Sequence, residues 1–325
     1  MAASDAATDD LLERVRATGL LPAAQPVVVL LSGGRDSVCL LDVAVRLSGL
    51  GAVTALHVDY GLRTESGEDA AHCRALCARL DVALDVHVAR RPEGPGNLQA
   101  WARDLRLGTG ARLAAARGAR LATGHTASDQ AETVLYRLAA SPGRRALLGM
   151  AARDGLLVRP LLGATRAQTA AHCVARGLQW REDASNAEPT YARNRARAGL
   201  VPALRELHPA AEANVVRTAE LLRDEADVLD EVVATALAGR DRIAIEHLAA
   251  LPPALARLVV RRLAEDAAGR LCARAAGRLP DILALGDGAL DLGDGARAIV
   301  AGGVLRVAPT PPGRAAPTPQ PACGE

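Results

Sequence analysis

The chain has 325 residues, room for two domains at roughly 150 residues each, with 50% apolar and 23% charged residues, the balance of a globular protein. Its net charge of +2 does not by itself mark a nucleic-acid binder. All 39 basic residues are arginine, which excludes a Walker A loop and Schiff-base or pyridoxal chemistry, since each needs a lysine amine.

Through the first half, apolar runs of strand length alternate with amphipathic stretches, the pattern of an α/β doubly wound, mostly parallel sheet. Strands are predicted at Val27–Leu31, Val53–Asp59, Val82–Val88 and Ala119–Thr123, with helices from about Ser37 to Ser48, Ser66 to Leu80 and Leu98 to Arg117. Right-handed crossovers bring the C-terminal ends of these strands to one edge, so the loops after them converge on one crevice. A charged helical stretch from about Asn214 to Ala238 then leads to a smaller α+β unit. That unit has a helix around Leu255–Ala268 and a β-meander of Leu290–Leu292, Ala298–Val300 and Val304–Val307, cut by Gly-Asp-Gly and Ala-Gly-Gly turns. The expected division is a catalytic domain over 1–213, a helical linker with a small C-terminal domain over 214–308, and a disordered tail over 309–325 whose composition is Pro, Thr and Ala.

Charge is segregated along the chain. Residues 133–181 carry eight arginines against Asp154 alone, and 189–205 add four with no acid, while 220–231 hold six acids against Arg223. Such a chain can turn a basic face to phosphates while staying nearly neutral overall. The six cysteines form no Cys-x-x-Cys pair, and Cys73 and Cys77 read as one buried helical face. A reducing, cytoplasmic location is expected, with no membrane partner, because no apolar run approaches the roughly 18 residues of a membrane helix.

The loop after the first strand reads Ser32-Gly33-Gly34-Arg35-Asp36-Ser37 and runs straight into a helix. Its glycines let backbone N–H groups approach an anion, the helix N-terminus adds partial positive charge, and Ser32 and Ser37 add hydroxyl donors. An acid among phosphates makes sense when it holds a cation, so Asp36 reads as a Mg²⁺ ligand. After the fourth strand, Asp129 and Glu132 lie three apart on a predicted helix and so share one face at the crevice. Two carboxylates there form a receptor for an ammonium group, and one of them could take its proton.

Six further motifs follow in order: His57-Val58-Asp59-Tyr60-Gly61-Leu62-Arg63; Asn97-Leu98-Gln99 through Arg103-Asp104-Leu105-Arg106; Ala122-Thr123-Gly124-His125 through Asp129-Gln130-Ala131-Glu132; Arg159-Pro160-Leu161-Leu162; Trp180-Arg181-Glu182-Asp183; and Tyr191-Ala192-Arg193-Asn194-Arg195-Ala196-Arg197. With the glycine loop, they resemble the pyrophosphate-loop ATP pyrophosphatases, and among these the tRNA(Ile)-lysidine synthase family. The resemblance implies an adenine nucleotide alpha hydrolase-like fold that uses ATP and Mg²⁺. It also implies a reaction joining free L-lysine to the wobble cytidine of a tRNA(Ile) with a CAU anticodon, through an adenylated intermediate. Ser32, Gly33, Gly34, Arg35, Asp36, Ser37 and His57 would then bind the nucleotide, and His125 would meet phosphate or cap the strand end. Arg106 would face phosphate or developing negative charge, Asp129 and Glu132 would hold the lysine, and Arg144, Arg145, Arg193, Arg195 and Arg197 would meet the tRNA. The oligomeric state stays open, a homodimer included. The chain departs from the usual pattern at Thr126, where the family commonly has a second histidine, at Ser128, at Leu107 and at Tyr60. A tRNA thiolase on the same fold is the alternative function; it would usually bring the cluster-binding cysteine pairs that this sequence lacks.

Overall fold

The computed structural model describes residues 2–61, 66–90, 98–140, 144–181 and 195–311. The chain divides by contact into two units, Met1–Arg223 and Asp224–Glu325. In the first, α1 (Ala2–Ala17) precedes β1 (Val27–Leu30), α2 (Arg35–Ser48), β2 (Val53–Asp59), α3 (Ser66–Leu80), β3 (Ala83–Val88), α4 (Leu98–Ala116) and β4 (Arg120–Ala122). There follow α5 (Ala127–Ala140), the short α6 (Arg144–Leu147), the paired strands β5 (Arg153–Asp154) and β6 (Leu157–Val158), α7 (Arg166–Ala175) and α8 (Val201–Leu207). The helix α9 (Ala211–Leu237) runs on past the division into the second unit.

The sheet has the order β3-β2-β1-β4-β6-β5, parallel throughout except for the β5–β6 pair. β1 is apolar on both faces because it is covered on both. Val27, Val29 and Leu31 enter a core with residues of α1, α2 and α3, while Val28 and Leu30 enter a second core with Ala114 of α4 and Leu121. α4 lies so near the sheet that a β-carbon at Gly110 would stand 2.7 Å from Leu121 Cδ1. The four predicted strands and three helices are therefore present, each within two residues of its expected ends. α1 was not expected: its acidic residues hid the Leu11, Leu12 and Val15 stripe that packs into the first core.

In the second unit, β7 (Arg242–Ala244), α10 (Ile245–Ala250), α11 (Pro253–Ala268) and α12 (Leu279–Ala284) precede the meander β8 (Gly288–Gly293), β9 (Ala296–Ala301) and β10 (Val304–Pro309). The antiparallel sheet has the order β7-β10-β9-β8, so the expected meander gains one strand from upstream. Gly302 and Gly303, both at positive φ, close the β9–β10 hairpin, a turn whose two central residues lie in the left-handed region. α11 covers this sheet with Val259, Val260 and Leu263 against Leu292 and Leu305. Among the described residues, no helix is long and apolar enough to cross a membrane.

Candidate active site

β1 and β4 are neighbours where the winding of the sheet changes direction, and the loops after their C-terminal ends face one another, the place where open α/β sheets bind ligands. In the first loop Gly33 has φ +84°, which a residue with a β-carbon adopts only under strain. Gly34 caps α2 with extended backbone and no side-chain hydrogen bond, leaving the first turn of the helix as a donor set for an anion. Ser37 Oγ donates to the Gly34 carbonyl at 2.8 Å and lies 3.1 Å from Ser32 Oγ, and Gly34 N–H donates to Ser32 Oγ at 3.4 Å. Both hydroxyls thus sit inside the loop curve.

The second loop crosses very near the first. A β-carbon at Gly124 would stand 2.9 Å from the carbonyl carbon and oxygen of Asp36 and 3.1 Å from Ser37 N, so only glycine lets the strand end pass. Two residues on, Thr126 opens α5. Its hydroxyl accepts from Asp129 N–H at 3.4 Å, while Asp129 Oδ2 accepts from both the backbone N–H and the hydroxyl of Thr126 at 2.9 Å. This is a reciprocal cap, with Asp129 in the role usually taken by Glu or Gln. It turns Asp129 Oδ1 away from the helix end and toward the crevice.

The opposing wall is α7. Thr165 and Gln168 form a capping box at its start, and Arg166 N–H donates to Ser128 Oγ at 3.4 Å, which ties the first turns of α5 and α7 together. Arg166 then reaches across the crevice. Its Nη2 donates to Asp129 Oδ1 and its Nη1 to Glu132 Oε1, both at 2.6 Å, and its Nε stands 3.9 Å from Asp36 Oδ2. One turn later on the same face, Thr169 Oγ1 donates to Asp36 Oδ1 at 2.5 Å. Arg197 adds a second guanidinium, donating to Glu132 Oε1 at 2.9 Å and Oε2 at 3.3 Å. The Glu132 side chain is only 2% exposed, so its charge is sustained by these two partners. Burial alone would lower the Arg166 pKa, but the Asp129 and Glu132 carboxylates outweigh it and hold the guanidinium above its ordinary value. A cavity of about 410 Å³ adjoins the cluster, lined in part by Ser128, Glu132, Arg166, Arg197, Arg205 and Glu212.

α7 is held against α2 along its length. His172 Nε2 lies 2.8 Å from Asp42 Oδ2, Arg176 Nε donates to the same oxygen at 3.4 Å, and His172 and Asp42 are both buried. Burial would raise the Asp42 pKa, yet the His172 hydrogen bond and the Arg176 charge overcome this and hold it below the usual carboxyl value.

Several expected residues therefore meet: Ser32, Gly33, Gly34, Asp36 and Ser37 in the loop, Asp129 and Glu132 beside it, and Arg197 on the carboxylates instead of out on the basic face. Arg35 pairs with its neighbour Asp36 at 3.1 Å. His57 is buried beneath the loop with Nδ1 2.9 Å from the Leu31 carbonyl, so it braces the loop from below. His125 Nδ1 lies 2.8 Å from Thr123 Oγ1 at the strand end. Arg106 sits on α4 near Tyr60, whose pKa is raised by burial against the opposing pull of this arginine. Arg144 and Arg145 lie on α6, Arg195 immediately precedes the π-turn Ala196–Leu200 that carries Arg197, and Arg193 lies outside the described residues. Cys73 and Cys77 belong to the core, as their helical spacing suggested. Arg166 and Thr169 are the functional candidates that sequence reasoning missed.

Residues 8–204 match the family model described as a PP-loop domain. A tRNA(Ile)-lysidine synthase from Salinispora arenicola is 39% identical over 91% of this chain and 95% of its own length. The chain belongs to the tRNA(Ile)-lysidine synthase family. Another member, from Solibacter usitatus, is 42% identical over 75% of this chain, but the match spans only 58% of that protein's length. Among solved structures, a U34-tRNA thiolase from Methanococcus maripaludis, determined with its [4Fe-4S] cluster, superimposes with a TM-score of 0.57 at 16% identity over 68% of this chain and 80% of its own, a likeness of fold. Against the usual family pattern, Thr126 caps α5 and fixes Asp129, and Ser128 receives the backbone of Arg166, so both departures serve the carboxylate pair.

Proposed function

We propose that this chain joins the side-chain amine of free L-lysine to C2 of the wobble cytidine of a tRNA(Ile) with a CAU anticodon, through an ATP-adenylated cytidine, releasing pyrophosphate and AMP. One observation carries the reading: a carboxylate pair that grips a cationic side-chain head lies directly beside the acid of the phosphate loop, so that one guanidinium reaches Asp129, Glu132 and Asp36. A receptor for the charged end of a chain, set against a phosphate site, suits an amine nucleophile delivered to an activated carbonyl.

In the first step the cytosine C2 oxygen attacks the α-phosphorus of ATP, and the bond to pyrophosphate breaks. Backbone N–H groups of Gly33 and Gly34, the Ser32 and Ser37 hydroxyls and the α2 N-terminus receive the pyrophosphate charge. The oxygens here, the Asp36 carboxylate and the Thr169 hydroxyl, are hard donors, and although Arg35 and Arg166 hold the carboxylate at 3.1 and 3.9 Å, one carboxylate completed by phosphate oxygens and water is the usual setting of Mg²⁺. Asp36 would hold that ion, which supplies positive charge against the departing pyrophosphate. A ring carbonyl oxygen leaves poorly, and as an ester of AMP it leaves well. In the second step the lysine amine, relieved of its proton by Asp129 or Glu132, forms the N–C2 bond as the C2–O bond to AMP breaks. Arg144, Arg145, Arg193 and Arg195 meet tRNA phosphates.

Sulfur transfer on the same fold is the weaker reading. The five described cysteines are all buried, and burial pushes the Cys73 thiol up to about 12 and Cys77 up to about 11, the reverse of what a thiolate ligand or nucleophile needs. The decisive experiment incubates the purified protein with ATP, Mg²⁺, labelled lysine and a CAU-anticodon tRNA(Ile). Label should enter the tRNA in proportion to AMP formed; a folded, ATP-binding protein that incorporates none would overturn the proposal.

A further inference from the structure

The carboxylate pair already has a cation on it. Asp129 Oδ2 is committed to Thr126, and the oxygens that face the crevice, Asp129 Oδ1 and Glu132 Oε1, each accept an Arg166 N–H at 2.6 Å. Glu132 Oε1 also accepts Arg197 Nε at 2.9 Å. An entering ammonium has three donors and no acceptor, so to bridge the two carboxylates it must compete for oxygens that Arg166 and Arg197 already hold. Two carboxylates this buried need counter-cations while the site is empty, and Arg166, 2.6 Å from each, is the nearer one, Arg197 standing 2.9 Å from Glu132 Oε1 and 3.6 Å from Asp129 Oδ1.

Arg166 is built to move alone. The Thr165–Gln168 capping box and the bond from its own backbone N–H to Ser128 fix its main chain, while the side chain lies along the wall of the 410 Å³ cavity. Its Nε is already 3.9 Å from Asp36 Oδ2, so a short swing takes the guanidinium from the amine side of the crevice to the phosphate side.

We propose that Arg166 is a resident counter-cation: it neutralises Asp129 and Glu132 in the empty site, and the substrate amine must displace it from them to bind. The idea rests on the amine-receptor reading above and adds a competition to it. Ligand affinity is then reduced by the fraction of molecules in which Arg166 occupies the pair.

The test is calorimetric titration of L-lysine, and separately of guanidinium chloride at millimolar concentration, into the wild-type protein, Arg166→Ala and Arg166→Lys, without ATP. Arg166→Ala should bind lysine about tenfold tighter and newly bind guanidinium, whereas Arg166→Lys, which restores a tethered cation, should bind lysine about as the wild type does. Equal or weaker lysine binding by folded Arg166→Ala would overturn the proposal while leaving the lysine reading intact. If neither protein binds lysine but Arg166→Ala alone binds guanidinium, the resident cation stands and the lysine reading falls. Should Arg166→Ala fail to fold, a crystal structure of the wild type with lysine decides. The guanidinium should lie more than about 4 Å, beyond ion-pair range, from Asp129 Oδ1 and Glu132 Oε1; contacts unchanged from the free state would refute displacement.

Discussion

Gly124→Ala tests whether the approach of the two loops is what makes the site. The new β-carbon would meet the Asp36 carbonyl carbon and oxygen at 2.9 Å, where an unstrained contact needs about 3.5 Å. The atoms it meets are backbone, so no side chain can rotate aside, and the loops must part by roughly half an ångström. Overpacking of this kind costs about 1–3 kcal/mol. For a unit of this size that lowers Tm by about 2–4 °C per kcal/mol. The strain falls on Asp36 and Ser37, so activity should suffer more than stability: displacement on the scale of an ångström costs up to about a hundredfold in rate. Pyrophosphate release at saturating ATP and tRNA, measured beside a thermal melt, should fall at least about tenfold in protein that remains folded at assay temperature. A variant with wild-type rate and Tm would refute the argument. A large drop in Tm with an unchanged rate per folded molecule would reduce Gly124 to a packing residue.

Three other perturbations separate chemistry from scaffold. Glu132→Gln should raise the KM for lysine about tenfold or more while changing the KM for ATP little, because the residue lies on the amine side of Arg166; initial rates with lysine varied decide it, and an unchanged lysine dependence rejects the receptor role. Gln130, 1% exposed, accepts from Met150 N–H at 2.7 Å and donates to the Met150 carbonyl at 2.9 Å. Arg223 also donates to that carbonyl, so Gln130→Leu strands chiefly the N–H and should cost about 1–3 kcal/mol in denaturant unfolding, with no loss meaning that the segment relaxes to another partner. Asp42 is held below its ordinary pKa, so the stability it contributes is fully present above the unfolded carboxyl value of about 3.9 and is lost as pH falls through the lower folded value. Asp42→Asn should therefore be less stable than the wild type at pH 7 by a margin that shrinks below about pH 4; a constant margin would mean that the charge is not what matters.

Much of the sheet unit was legible because strands buried on both faces read as mostly apolar runs: β1 is Val-Val-Val-Leu throughout, and β2 is interrupted within Val53–Val58 only by Thr54 and His57. The loop was legible because anion binding at a helix start needs glycines and hydroxyls in a fixed order. Asp129 and Glu132 were legible from a spacing of three that puts them on one helical face. Arg166 was not, because its partners lie 37 and 34 residues away and no local rule connects them. A trace of it was nevertheless present. The Thr165-x-x-Gln168 capping box fixes a helix start and so puts Arg166 in the first turn, where the helix dipole disfavours a cation. A basic residue in that position calls for nearby acids. The same reasoning applied to Thr126-x-x-Asp129 would have identified the cap that orients the pair. Arg197 was expected at the tRNA, and its contact with Glu132 was not legible for a different reason: it stands in a π-turn, where helical spacing no longer predicts facing.

The absence of lysine from the chain bears directly on that cluster. In the proposed reaction an adenylated carbon waits beside Asp129 and Glu132 for an amine. A lysine at position 166 would satisfy the same carboxylates, but its amine, once deprotonated by either of them, would itself be a nucleophile tethered within reach of that carbon. A guanidinium does not present this hazard. Its fork spans two separate carboxylates with one head, as Nη1 and Nη2 do here, and the charge of Asp129 and Glu132 raises its pKa further, so it holds no free lone pair to attack with. Arginine can therefore keep the pair compensated between turnovers without competing in the chemistry.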